Sequence, residues 1–197
     1  MSENGAVPGA TDGRAGAEPR GGGPKAVDGG VELVRLDSTS PGIQRLRSQV
    51  RSVPLLPGQH RFVKPAAHTL PRADADPNRT PFAVVVRDTA VGFGILDRGG
   101  NLVELTPTPR SAVLFRAFHL APEWQGRGVG RAVCVALDPL VRAVAPEATE
   151  VLLTVNEANP AAIRAYLAGG FRDSGRRYLG GDAGPQLILY REVTEYG

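Results

Sequence analysis

One cysteine, one methionine, one tryptophan and two lysines are all that a 197-residue chain holds of these types, and each scarcity closes off a class. A lone Cys134 excludes an intramolecular disulfide and fits a reducing compartment, so a cytoplasmic location is expected. The three histidines, His60, His68 and His119, stand far apart and have only that cysteine for company, so no metal-ligand spacing exists and no metal is expected. No apolar run approaches the ~18 residues of a membrane span. The first residues also lack a cationic start followed by an apolar stretch, so neither a secretory signal nor a membrane partner is expected. Arginines are scattered with no basic stripe and no interleaved aromatics, which argues against nucleic acid. A net charge of +3 suits a ligand rich in phosphate instead.

Large apolar side chains are nearly missing from "MSENGAVPGATDGRAGAEPRGGGPKAVDGG" as well. Such a segment cannot bury enough surface to offset its ordering entropy, so residues 1–30 are expected to be a disordered, dispensable leader before one domain over 31–197. In that domain "VELVRLD" (31–37) alternates as a strand with one buried face. Ser40 and Pro41 then open a helix, as N-cap and first helical residue. Six prolines in 53–81 predict loops with a short helix at most. "FAVVVRD" and "AVGFGILDR" predict a hairpin broken at Asp88-Thr89, with Gly92 and Gly94 marking a bulge. "AVLFRAFHLAP" reads as a central strand that stops at Pro122. A helix with Val129, Val133, Leu137, Leu140, Val141 and Val144 on one side follows, kinked at Pro139. "EVLLTVN" is a buried strand, Asn159-Pro160 open another helix that closes at Gly169-Gly170, and "QLILYREV" is the last strand. The fold class is α/β (α+β), a mixed sheet flanked by helices.

Between the central strand and its helix lies "EWQGRGVGRAV", with Gly126, Gly128 and Gly130 at alternate positions. Glycines where a helix is about to start cost backbone entropy, a cost that makes sense if a ligand must approach the main chain. Uncommitted N–H groups at a helix N-terminus favour an anion, so the loop reads as a phosphate cradle, with a plain flexible turn as the alternative. A P-loop is excluded because Gly130 is followed by Arg131-Ala132 instead of Lys-Ser/Thr. A dinucleotide fingerprint fails because Arg131 stands where the third glycine belongs, which disfavours a nucleotide-binding oxidoreductase.

Two patterns together narrow the phosphate. "Q-G-R-G-V-G" fits Gln/Arg-x-x-Gly-x-Gly/Ala, and "V-N-E-A-N-P-A-A-I-R-A-Y-L-A-G-G-F" carries Val155, Asn159, Ala162, Tyr166, Gly170 and Phe171 in order behind it. With both motifs the chain from Val31 to about Val193 resembles the GNAT superfamily of acetyl-CoA-dependent N-acetyltransferases. That resemblance implies a single-domain, mostly antiparallel sheet splayed at its centre, with acetyl-CoA as co-substrate inserted in the gap. It implies that the backbone of Phe118, His119 and Leu120 pairs with the pantetheine arm. Backbone amides in the stretch Gln125, Gly126, Arg127, Gly128, Val129, Gly130 and Arg131 would hold the pyrophosphate, with the two arginines placed for charge-assisted contacts. It also implies that Asn159 contacts the cofactor and that Tyr166 faces its sulfur as general acid. Seven residues apart on a helix, Asn159 and Tyr166 lie on one face about 10 Å apart along the axis.

The general base stays unassigned, with Glu104, Glu123 and Glu157 as water-mediated options. A looser likeness to the polyamine acetyltransferase branch rests on Gln59, Phe62, Val63 and Arg116. It implies a small, cationic amine acceptor, for which Asp74, Asp76, Asp97 and Glu104 are the nominated acidic groups. Aminoglycosides, protein amines and a non-catalytic acetyl-CoA-binding role remain alternatives; Thr154, where protein amino-terminal acetyltransferases often have Glu, argues against a protein. The oligomeric state is left open, a homodimer among the options.

Overall fold

Val86 and Thr89 are joined by Arg87 and Asp88, both with positive φ (48° and 60°), the backbone of a two-residue turn whose twist matches that of the flanking strands. The hairpin so closed, β2 (Arg79–Val86) and β3 (Thr89–Asp97), lies in the middle of the first half of the sheet, and its break falls one residue earlier than the sequence suggested. The computed structural model describes residues 30–194; the expected leader lies outside them apart from Gly30. Before the hairpin come β1 (Glu32–Arg35), α1 (Pro41–Arg51), a 3-10 turn (Gln59–Arg61) and α2 (Ala66–Asp74). After it come α3 (Leu102–Leu105), β4 (Ala112–Leu120), α4 (Val129–Val135), α5 (Leu137–Val144), β5 (Glu150–Asn156), α6 (Pro160–Ala168), β6 (Arg172–Tyr178) and β7 (Gln186–Glu192). The seven strands form one sheet in the order β1-β2-β3-β4-β5-β7-β6, antiparallel everywhere except between β4 and β5. A parallel pair needs a long crossover, and α4 with α5 supplies it.

The run Phe82-Ala83-Val84-Val85-Val86 is continuously apolar because both faces of β2 are covered. Phe82, Val84 and Val86 join a core with Val129 and Val133 of α4, Leu137 and Val141 of α5, and Tyr166 of α6. Ala83 and Val85 join a second core under Leu46 and Val50 of α1 and Leu70 of α2. Helices α4 to α6 therefore cover one face, and α1 and α2 the other. A smaller cluster sets α3 on Ala112, Leu114, Leu152 and Ile188.

Ser40 caps α1 as expected, its Oγ accepting from the Ile43 amide at 3.4 Å. The helix expected to kink at Pro139 is instead two helices, because proline cannot donate to the Val135 carbonyl and the chain turns at Ala136. Strand β6 was not foreseen at all. "RDSGRRY" has no apolar alternation because it is an edge strand exposed along most of its length, paired only to β7. Gly94 answers a close approach: a Cβ there would sit 2.5 Å from the Phe82 ring. The expected bulge lies beside Gly92, where Val84 faces Gly92 but Val85 faces Ala90, so β3 carries one extra residue. A second bulge, not foreseen, lies on β4, where Phe93 faces His119 but Ile95 faces Arg116.

Candidate active site

Strands β4 and β5 pair over only three positions, Ala112↔Glu150, Val113↔Val151 and Leu114↔Leu152. Beyond them β4 continues to Leu120 on β3, and β5 continues to Asn156 on β7. The sheet thus opens into a V at its centre. The β4 edge from Phe115 onward has main-chain groups with no strand to meet on that side, and such groups need a partner or water. Ala117, an alanine held at φ 53°, is the extra residue of the β4 bulge, and a bulge bends its strand. It also brings Phe115 and Phe118 to one face, their ring centroids 5.1 Å apart.

The glycine loop leaves the end of β4 at the open end of the V. Gly126 and Gly128 have φ of 71° and 81°, a region costly for any side chain. A Cβ at either would meet nothing within 4 Å, so packing does not demand glycine there, while backbone conformation and free approach do. Helix α4 starts at Val129 with no side-chain cap, and its first amide bond runs from Ala132 to Gly128. The N–H groups of Val129, Gly130 and Arg131 therefore point outward uncommitted by the helix. The Val129 side chain is buried, so that residue offers only its amide. Arg127 and Arg131 are exposed, with the Arg127 guanidinium 5.9 Å from the Trp124 ring centroid. Gln125 differs from its expected use. Its side chain donates to the Leu120 carbonyl (2.9 Å) and pairs with the Gln59 carboxamide (3.2 and 3.4 Å), and its amide donates to the Pro122 carbonyl (3.2 Å), so it does not offer the free N–H expected of it.

Across the V, Asn159 Oδ1 accepts from the Ala162 amide at 3.2 Å and caps α6. Tyr166, two turns on, packs against Phe115 (6.2 Å), Phe118 (6.3 Å) and Phe171 (6.0 Å). Its hydroxyl has no hydrogen bond among the described residues. Burial, with a smaller contribution from Cys134, pushes the phenol well above its usual range, so it stays protonated at neutral pH. Gly130 of α4 lies against Ala165 of α6. The loop, the end of β4 and Tyr166 thus share one mouth.

Other nominated groups lie elsewhere or are spent. Glu104 belongs to α3, at the closed end of the V, and so is no base for chemistry at the open end. Glu157 pairs with Arg177 at 2.5 Å, while Glu123 is exposed beside the loop. Asp74 pairs with Arg47 and Asp76 with Arg79. Asp97 is fully buried between Arg79 and Arg116, both at 3.0 Å. Cys134 is a core residue, its thiol pushed up to about 12 mainly by burial. Sequence reasoning missed Ala117, because a left-handed alanine carries no glycine signal.

The model of the acetyltransferase (GNAT) family matches residues 50–171. A curated relative, the uncharacterized N-acetyltransferase YbbJ of Bacillus subtilis (strain 168), is 29% identical over 142 residues, 72% of this chain and 88% of that protein. Among solved structures, the aminoglycoside acetyltransferase AAC(6')-Ib with parmomycin and acetyl-CoA superposes with a TM-score of 0.61 at 19% identity, covering 83% of this chain and 93% of that one. A spermidine N-acetyltransferase from Vibrio cholerae with CoA and spermine gives a TM-score of 0.56 at 17% identity, covering 84% and 97%.

Proposed function

The chain belongs to the acetyltransferase (GNAT) family and is an acetyl-CoA-dependent N-acetyltransferase, and we propose that its acceptor is the primary amine of a small molecule. The observation that carries this reading is the V between β4 and β5 with the glycine loop and Tyr166 at its mouth. In this reading the amides from Gly126 to Arg131 hold the pyrophosphate, and the open edge of β4 from Phe118 to Leu120 pairs with the pantetheine amides. Asn159 positions the cofactor from the other side. When bound, acetyl-CoA supplies an acetyl group activated as a thioester. Tyr166, a neutral phenol with an unclaimed hydroxyl, donates a proton to the departing sulfur.

Acceptor size and charge depend on the other face. The α1–α2 loop is tied across to the glycine loop by the Gln59–Gln125 pair, which narrows the approach and supports a small molecule over a folded protein. Three of the carboxylates nominated for a polyamine-like cation, Asp74, Asp76 and Asp97, are already neutralised by arginines. Geometry therefore favours an amine with one or two positive charges over a long polycation. A turnover assay with acetyl-CoA against monoamines, diamines, spermidine, aminoglycosides and peptides tests this. Small amines are expected to give the highest kcat/KM, and a peptide or polycation preferred by ~10-fold or more, about 1.4 kcal/mol, would overturn the assignment.

A further inference from the structure

A base for this reaction has no residue assigned to it, and the nominated carboxylates are paired, distant or exposed. Among the described residues, a buried histidine also stands at the open end of the V. His119, on the last turn of β4 before the glycine loop, is 5% exposed, and its Nε2 is buried with no hydrogen-bond partner among the described residues. A buried polar atom left unpaired costs about 1–3 kcal/mol, and such atoms in folded proteins call for a reason. Its other nitrogen is accounted for: Nδ1 lies 3.2 Å from the carbonyl of Ala117, the left-handed bulge residue. A carbonyl only accepts, so Nδ1 carries the hydrogen and donates it. The neutral ring then has its lone pair on Nε2. The bulge thus sets the tautomer that leaves a base uncovered.

The face matters as much as the tautomer. The glycine loop leads into α4, and Asn159 and Tyr166 sit on α6, so the cofactor approaches from the face that α4 to α6 cover. An acetyl group held in the V from that side is open to a nucleophile from the opposite side. His119 points to that opposite side: it pairs across the strands with Phe93, the rings are 5.9 Å apart, and Phe93 belongs to the core beneath α1 and α2. The charged and titratable groups there do not compete for it. Arg51, His60, Arg61, Lys64 and His68 are exposed, and Arg47 is held by Asp74. Burial is the largest influence on the ring and favours its neutral form, opposed only by the Ala117 carbonyl.

We infer that His119 Nε2 is the proton acceptor of the reaction, taking a proton from the ammonium of the acceptor directly or across one water; this rests on the small-amine reading above. The N–H bond electrons stay on the acceptor nitrogen as its lone pair. The proton makes His119 an imidazolium, which afterwards returns it to water. The depressed basicity of the buried ring fits the task, since it is neutral at the working pH and sheds the proton readily.

The test uses the full chain. His119→Phe keeps an aromatic ring against Phe93, and His119→Gln keeps a polar one, so at least one variant is expected to fold with acetyl-CoA affinity within ~2-fold of wild type by calorimetry. For that variant kcat is expected to fall roughly 10²-fold. The wild-type acid limb of kcat/KM for the amine, lying below the ordinary imidazole value of about 6.5, should disappear with it. A variant with kcat within ~3-fold and the same acid limb would overturn the inference while leaving the small-amine reading intact. Failure of the wild type to acetylate any small amine would sink that reading instead. Nitrogen NMR of the wild-type imidazoles, only three in the chain, needs no variant. It should find His119 protonated at Nδ1 and bare at Nε2 near pH 7, and the reverse tautomer would refute the proposal.

Discussion

A tyrosine at helical spacing is usually core, and Tyr166 satisfies that description and another at once. Its ring sits among Phe115, Phe118 and Phe171, so packing alone would account for an aromatic there. Packing does not account for a hydroxyl without a partner, next to the strand edge where a thioester would lie. Tyr166→Phe separates the two, because it keeps the ring and removes the oxygen. Stability should change little and acetyl-CoA affinity stay near normal, while kcat falls by roughly 10²-fold and the alkaline limb of the pH profile shifts. Full activity with an unchanged profile would return the residue to the core. Gly128 poses the converse case. A Cβ there meets empty space, yet φ is 81°. Gly128→Val should therefore cost about 1–2 kcal/mol of stability from backbone conformation and weaken acetyl-CoA binding by more than that cost explains. Equal affinity by calorimetry would remove the loop from the pyrophosphate. The glycines were readable in sequence because their chemistry is conformational. The role proposed for His119 was not, since it depends on a bulge at Ala117 that no residue type announces.

Among elements, legibility followed burial. The hairpin β2–β3, the buried strand β5 and the capped helices α1 and α6 were plain, because each has a periodic apolar face or a capping residue that local physics demands. The edge strand β6 has neither and was invisible. The break between α4 and α5 was seen only as a kink, since proline marks the lost hydrogen bond without saying how far the chain turns. Long-range pairing is illegible for the same reason: nothing near Gln59 in sequence says that its carboxamide meets Gln125, 66 residues on. That pair joins the loop between α1 and α2 to the loop that follows β4, and Gln125 also holds the Leu120 carbonyl. The two loops should therefore respond together. In Gln59→Ala the Gln125 amide loses one partner and keeps another, so the fold should lose only about 1 kcal/mol. The KM values for amine and for acetyl-CoA should both rise, by several-fold. A change confined to the amine would mean that the pair lines the acceptor pocket without tying it to the cofactor loop.

At the scale of the whole molecule, the half of the sheet that forms one wall of the V has to hold together, and Asp97 is placed to tie it. Fully buried at the end of β3, it accepts from Arg79 on β2 and Arg116 on β4, and from the amides of Gly99 (3.0 Å) and Gly100 (2.8 Å) in the next loop. One carboxylate thus binds three adjacent strands and the turn that follows them. Burial pushes its pKa up, but the Gly100 and Gly99 amides and the Arg116 guanidinium outweigh that, so it is held below the ordinary value of 3.8. Its stabilisation is accordingly complete above that value and is lost as pH falls through the lower, folded one. Asp97→Asn keeps the shape and the amide bonds to one oxygen but removes the charge. Arg79 and Arg116 are partly exposed and can turn to water, so the cost should fall short of a wholly buried broken pair, at about 2 kcal/mol. For a domain of this size that is a fall in Tm of roughly 4–8 °C. Urea unfolding at a series of pH values checks both magnitude and cause. The gap between wild type and variant should be constant from about pH 7 to pH 5, then narrow below the ordinary carboxylate value as the wild-type chain is protonated. A gap that persisted undiminished to about pH 2 would show that the variant suffers from altered packing, and that charge pairing at Asp97 is not what ties β2, β3 and β4 together.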